Sequence, residues 1–359
     1  MTQMADVLKS QVLRGLAKPK DQGGLGTAWW FNSYGGEFGV NHFEDGVPHD
    51  LAEALIRKSA PMPRKIAVMC EDGVTVDFVS QEHIAALIED YSDGNNPKNI
   101  SYIGSNGFGI HDPIKLLWNP MKELCVNGVE ILSVVVSRNG ALVSIQLTSP
   151  QTTKTASCGM QFTPSLFAGT AHDGSMSSWF KDTAVITECD NTVAWALSKQ
   201  GKHELKIKHT AKSEAGLKAT VDEVWTRLEE IGEAMGYKVD GLASIKVSEK
   251  DFFKWLDVFA PEPEEFLTDQ RTLKERRNRA FAIVRKKRND LVEMYRQDRR
   301  CAPWQGTALG VVQTVNTFGN HMSPVRGADR VTRQMDNLWS GKQEALDGLA
   351  LKQLQAVLA

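Results

Sequence analysis

Two hydrophobic rhythms divide this chain. Up to about residue 212 apolar and polar positions mostly alternate, the period of strands; from Ser213 onward apolar positions recur every three or four residues, the period of helices. The sharpest local signal is Val129 to Thr148, where two β-branched runs flank Asn139-Gly140. That dipeptide accepts the positive φ angles of a two-residue turn, so the segment predicts a hairpin. A third strand is expected over Gly159 to Ala168, a turn at His172-Asp173-Gly174-Ser175, and a fourth strand over Ser177 to Glu188. Lys202 to Thr210 alternates again and sets His203, Leu205, Ile207 and His209 on one face. Upstream, Pro48 to Lys58 predicts a short helix, and Lys65 to Ser80 predicts two strands about Glu71-Asp72-Gly73. Ser80 is placed to cap a helix carrying Ile84, Leu87, Ile88 and Tyr91, and Asp190 to cap another through Trp195 and Leu197.

In the helical part, Leu217, Val221, Val224, Trp225, Leu228, Ile231 and Met235 form one stripe. Ser248 and Asp251 open a second helix. After the stiff break Pro261 to Glu265 comes a long helix with a narrow seam of Leu273, Ala280, Val284, Leu291 and Tyr295. Thr307 to Phe318 and Gln343 to Leu358 complete the set. The fold class expected is α+β: an antiparallel β-meander core with packed helices and a mostly helical C-terminal third. Three regions follow: a loop-rich segment 1–46, an α+β core 47–212 and a mainly helical region 213–359.

Composition adds little until charge is resolved along the chain. The 359 residues are 42% apolar and 24% charged, as in folded proteins. No apolar run reaches the roughly 20 residues that cross a bilayer, so no membrane is expected as a partner. Five scattered cysteines without ligand spacing fit reduced thiols in a bacterial cytoplasm. The net charge of −2 conceals Arg271 to Arg300, which holds twelve Lys or Arg against four acids. That segment carries +8 and leaves −10 for the rest. Such asymmetry predicts a polyanionic partner, nucleic acid above all, held at Lys274, Arg276, Arg277, Arg279, Arg285, Lys286, Lys287, Arg288, Arg296, Arg299 and Arg300. Tyr295, Trp304 and Gln305 are the nearby groups expected to stack on bases. Arg326, Arg330 and Arg333 add a second cationic cluster near His321.

A polar site is expected around His172, Asp173, His203 and His209. It reads as a tight turn whose side chains bond the backbone, or as a metal or water site for an enzyme. The spacing fits no metal template, so neither a metal nor a cofactor is expected, and no catalytic residue is assigned. Gly104-Ser105-Asn106-Gly107-Phe108-Gly109 lacks dinucleotide-binding spacing and no phosphate-loop Lys-Ser/Thr follows it, which disfavours nucleotide hydrolysis.

The order of several motifs carries a family resemblance. Asn139-Gly140 is followed by Ala171-His172-Asp173-Gly174-Ser175, Cys189-Asp190-Asn191-Thr192 and Lys208-His209-Thr210, then by Gly306-Thr307, Arg326-Gly327 with Arg330, and Trp339-Ser340-Gly341-Lys342. Leu25-Gly26-Thr27 echoes the same pattern near the start. From about Val129 onward the chain resembles a phage/plasmid-like protein family catalogued as a domain of unknown function. Ala171 and Lys208 depart from its usual Ser or Asn and Arg. The resemblance implies a mobile-element setting and no particular activity. The coarse element order also resembles that of single-strand annealing proteins. The reading that follows is a non-enzymatic DNA-binding protein, favouring single strands, for annealing, replication or recombination. The rivals are a metal-dependent nuclease built on His172 and Asp173, and an anti-defence protein binding a host protein. Homo-oligomer formation is compatible with either.

Overall fold

The computed structural model describes residues 11–15, 43–64, 67–69, 76–78, 83–88, 99–105, 108–138, 140–186, 191–193, 204–210, 221–262, 271–324 and 330–359. The strands are β1 (Gln11–Arg14), β2 (Pro61–Arg64), β3 (Ala67–Met69), β4 (Val76–Phe78), β5 (His83–Ile88), β6 (Asn99–Ser105), β7 (Glu130–Ser137), β8 (Leu142–Thr148), β9 (Lys154–Thr155), β10 (Gln161–Ala171), β11 (Ser178–Ile186), β12 (Asn191–Val193) and β13 (Glu204–Ile207). The helices are α1 (His49–Lys58), α2 (Asn119–Cys125), α3 (Val221–Ser244), α4 (Glu249–Phe259), α5 (Arg271–Gln297), α6 (Ala308–Thr317), α7 (Arg330–Trp339) and α8 (Lys342–Leu358). The fold is α+β. Eight strands form one sheet in the order β1-β7-β8-β10-β11-β12, with β13 on β11 and β9 on β10, and every pairing is antiparallel.

The β7–β8 hairpin forms where Asn139-Gly140 predicts it. Arg138 and Gly140 take left-handed φ of 52° and 82°, and the Ala141 N–H donates to the Arg138 carbonyl at 3.1 Å to close the tip between Ser137 and Leu142. Strand alternation then sorts the faces. Leu13, Val134, Val136, Val143, Ile145 and Leu147 point to one side and pack on Leu55, Ile56, Trp118, Val224 and Leu228 from the covering helices. The other side is buried yet half polar. There Gln146 accepts from Arg14 Nη1 (3.2 Å) and Ser133 Oγ (3.2 Å) and donates to Ser165 Oγ (2.8 Å). Its apolar part, Val12, Val135, Phe167 and Trp179, meets Trp339 of α7.

The helical third has its own core. Met235 and Val239 of α3, Phe252 and Trp255 of α4, Leu291 and Tyr295 of α5, and Leu354 of α8 surround α6. Phe162, Ala184 and Ile186 tie this core to the sheet. Every residue of α6 is buried. Thr307 caps it by accepting from the Gly310 N–H at 3.2 Å. Gly310 is needed because a Cβ there would stand 2.2 Å from the Trp304 carbonyl oxygen.

Several expectations change. Ile84, Leu87 and Ile88 lie in strand β5, which joins β2 to β6; the helix predicted after Ser80 does not form over His83–Ile88. A short apolar run satisfies either period, and pairing with Pro61–Arg64 decides it. Asn191–Val193 is strand β12 against β11, where a helix was expected. The Glu71-Asp72-Gly73 turn, the region near Trp195 and Leu197, and Leu217 lie outside the described residues, although β3 and β4 pair as predicted. The seam of α5 is shorter than its periodicity implies: Leu291 and Tyr295 are buried, Val284 is half-buried and Ala280 is exposed.

Candidate functional site

The basic segment is one helix of 27 residues, α5, and its two halves have different surroundings. The C-terminal half is latched to α4. Arg288 Nη2 donates to Asp257 Oδ1 at 2.6 Å, and Nη1 donates to the carbonyls of Ala260 (2.8 Å) and Leu256 (3.2 Å). The Lys287 ammonium sits 4.6 Å from the centre of the Phe259 ring, and burial lowers its pKa. Arg296 pairs with Glu249 and lies 5.5 Å over the Phe253 ring. Arg300 is buried and pairs with Asp298, Nε to Oδ1 at 2.8 Å. These four cations are therefore engaged by the fold itself.

The N-terminal half is different. From Glu275 to Lys286 no described side chain is buried. Residues 271–286 hold seven Lys or Arg against the single acid Glu275. Arg279 and Arg285 are exposed, and Arg285 stands 6.0 Å over the Phe281 ring. Lys286 pairs with Asp290 at 2.7 Å but is 70% exposed, so that pair is weak. Side chains of Lys274, Arg276 and Arg277 lie outside the described set, although their backbone is helical. Arg299 is exposed at the far end of the segment. Arg326 lies outside the described residues; Arg330 opens α7, and Arg333 is exposed on it. Asp336, on the same helix as Arg330 and Arg333, accepts from Arg138 Nη2 at 2.6 Å.

Tyr295 and Trp304 are not available for stacking. Both are buried: Tyr295 stacks on Phe252 at 4.0 Å and its hydroxyl accepts from the Gly306 N–H at 2.7 Å. Trp304 Nε1 donates to the Cys158 carbonyl.

The His172-Asp173-Gly174-Ser175 turn joins β10 to β11. Asp173 Oδ1 accepts from the Ser175 N–H at 3.0 Å and Oδ2 from Arg138 Nη1 at 3.2 Å. Burial alone would lower the Arg138 pKa, but Asp336 and Asp173 raise it. Arg138 thus clamps the turn and α7 to the hairpin tip.

Beneath the turn lies a histidine cluster in which His111 and His172 are buried and His209 is half-buried. Ser178 Oγ is 2.7 Å from His111 Nδ1, 2.7 Å from Thr170 Oγ1 and 3.4 Å from His209 Nε2. His209 Nδ1 donates to the Gly109 carbonyl at 2.9 Å, and its ring stacks between Phe108 (4.9 Å) and His111 (4.1 Å). His172 is fully buried, and among the described residues neither ring nitrogen makes a hydrogen bond of good geometry, although the Ser59 backbone lies close enough to favour its protonated form. Burial first, and the neighbouring His209, push His111 down to about 4 and His172 down to about 3; burial lowers His209 as well. All three are neutral near pH 7. The cluster ties the segment before α2, the β10–β11 turn and the end of β13 together. Among the described residues no group of three or more His, Cys, Asp or Glu is arranged to hold a metal ion. His203 lies outside the described residues. Sequence reading reaches His172 and His209 but not His111 or Ser178, since a lone His and a lone Ser, 67 positions apart, carry no spacing signal.

The family model described as Domain of unknown function (DUF932) matches residues 106–339. The chain belongs to this DUF932 family. The match takes in the hairpin, the histidine cluster, the clamp and all of α5, so the DUF932 region contains both candidate surfaces. No curated protein and no solved structure matches the chain. No helix among the described residues is long and apolar enough to cross a membrane.

Proposed function

We propose that this DUF932 protein is a non-enzymatic DNA-binding protein whose basic arm, residues 271–286, holds phosphates. One observation carries the reading. Seven cations and one acid share a helical segment in which no described side chain from Glu275 to Lys286 is buried. A cationic rod on an otherwise negative body attracts a polyanion and repels other acidic surfaces. Each phosphate contact releases condensed counterions and is indifferent to base sequence. Lys287, Arg288, Arg296 and Arg300 are structural in this reading, and Arg333 with Arg326 and Arg330 adds contacts. The resemblance to phage and plasmid proteins supports a role in annealing, replication or recombination of mobile-element DNA in a bacterial cytoplasm. The nuclease alternative is not favoured by the position of Asp173, whose carboxylate is occupied by Arg138 and Ser175.

The test is binding of labelled DNA at low salt by the parent chain and by a variant with Arg276, Arg277, Arg279 and Arg285 changed to Glu. The parent binds, and the variant loses nearly all affinity while keeping its melting temperature. A parent chain that does not bind, or a variant that binds equally well, overturns the proposal.

A further inference from the structure

We infer that the arm selects unpaired strands over duplex, through an apolar collar at its centre. This rests on the DNA-binding reading above. Ala280, Phe281, Ala282, Ile283 and Val284 are five consecutive apolar residues in the middle of the arm. At 3.6 residues per turn they run more than once around the helix, so they make a ring and not a stripe. None is buried: Ala280, Ala282 and Ile283 are exposed, Phe281 and Val284 half-buried, and Ile283 keeps 61% of its surface in water. A cationic band flanks the ring on each side, Arg276, Arg277 and Arg279 before it and Arg285 and Lys286 after it. Arg277 and Arg285 are eight positions apart, about 12 Å along the helix.

Charge and shape together choose the occupant. A second copy of the arm would bring like charges together. A membrane-surface helix needs an apolar stripe along its length, but here Arg276 and Arg277 on one side, and Lys287 and Arg288 on the other, occupy the positions that would extend it. A DNA duplex offers phosphates at its groove rims but keeps its base faces stacked inside, leaving little to cover Ile283 and Phe281. An unpaired strand offers both: phosphates for the two bands and free base faces for the ring. The interval between the bands accommodates about three bases stacked at about 3.4 Å. Phe281 beneath the Arg285 guanidinium makes an aromatic–cation pair suited to base stacking.

The experiment measures anisotropy of one labelled 30-mer as a single strand and as a duplex, at about 50 mM salt, with the full chain, Ile283→Ser, and Phe281→Ser/Ile283→Ser. Vesicles of phosphatidylserine and phosphatidylcholine serve as a third ligand. The single strand is expected to bind about tenfold tighter than the duplex, and the double variant to lose that preference while its duplex affinity stays unchanged. Ile283→Ser, at an exposed position, gives a smaller loss in the same direction and keeps the test open if the double variant misfolds. Equal binding of both DNA forms, or a preference untouched by either variant, overturns the collar but leaves the arm's DNA binding standing. Binding to neither DNA, or to vesicles alone, overturns both.

Discussion

Arg288 holds Asp257 at 2.6 Å, and its other terminal nitrogen caps the Leu256 and Ala260 carbonyls at the end of α4. That pair divides the basic helix. Lys287, Arg288 and Arg296 hold α5 against α4, whereas Arg279, Arg285 and Lys286, before them, face solvent. Arg288→Ala is therefore expected to lower unfolding free energy by about 1–3 kcal/mol, because partly buried carbonyls and a carboxylate lose their donors. Arg285→Ala, three positions earlier, should change stability by no more than about 0.5 kcal/mol. Urea titration of the two variants checks this; equal costs would contradict the division.

Acid should loosen the histidine cluster first. His111 and His172 are held down to about 4 and about 3, below the unfolded value of about 6.5. Below about pH 6.5 the unfolded chain binds protons that the folded chain refuses. Their contribution is complete above that pH and is lost as pH falls toward 4 and 3, at no more than about 1.4 kcal/mol per pH unit for each histidine. His172→Phe removes one such group, and only the backbone contact with Ser59, which favours the protonated ring, is lost with it. Melting temperatures at pH 7 and pH 5 should differ less in this variant than in the parent.

Asp347 works in the opposite direction. It is fully enclosed between α6 and α8, and burial raises its pKa to about 7, although Asn316 Nδ2 (2.7 Å) and Gln343 Nε2 (2.8 Å) donate to it. The folded chain keeps a proton that the unfolded chain gives up near 4, so this contribution is full below about pH 4 and fades as pH rises through 7. Asp347→Asn should remove that decline. Its melting temperature relative to the parent's should rise between pH 5 and pH 8, whatever the uniform cost of rearranging the amides.

Gly310 lets α6 pass against the preceding turn. Gly310→Ala places a methyl group 2.2 Å from the Trp304 carbonyl oxygen, a backbone atom that cannot swing aside. A loss of about 1–3 kcal/mol is expected by denaturant titration. A neutral result would mean the turn yields without cost.

Legibility followed the range of the forces involved. The β7–β8 hairpin was readable because its turn is coded by two adjacent residues, and the α4 cap because Ser248 and Asp251 lie one turn apart. The run His83 to Ile88 was not, since its strand pairing comes from segments on both sides of it in sequence. The charge of α5 was visible, but its division was not: Glu249, Phe253, Asp257 and Phe259, which engage the C-terminal half, belong to another helix. Tyr295 and Trp304 looked like stacking groups because aromatics beside cations suit that role, yet tertiary packing claims both. The histidine cluster joins residues 109, 111, 172, 178 and 209, a convergence no local pattern encodes.

The most direct test of the arm is the salt dependence of DNA binding. Log affinity for a single strand should fall linearly with log salt concentration, with a slope near −0.7 for each phosphate neutralised. Changing Arg279 and Arg285 to Gln should make that slope shallower by about 1.4, while Arg296→Gln leaves it unchanged. An affinity insensitive to salt, or a slope that responds to Arg296 and not to Arg279 and Arg285, would contradict the account.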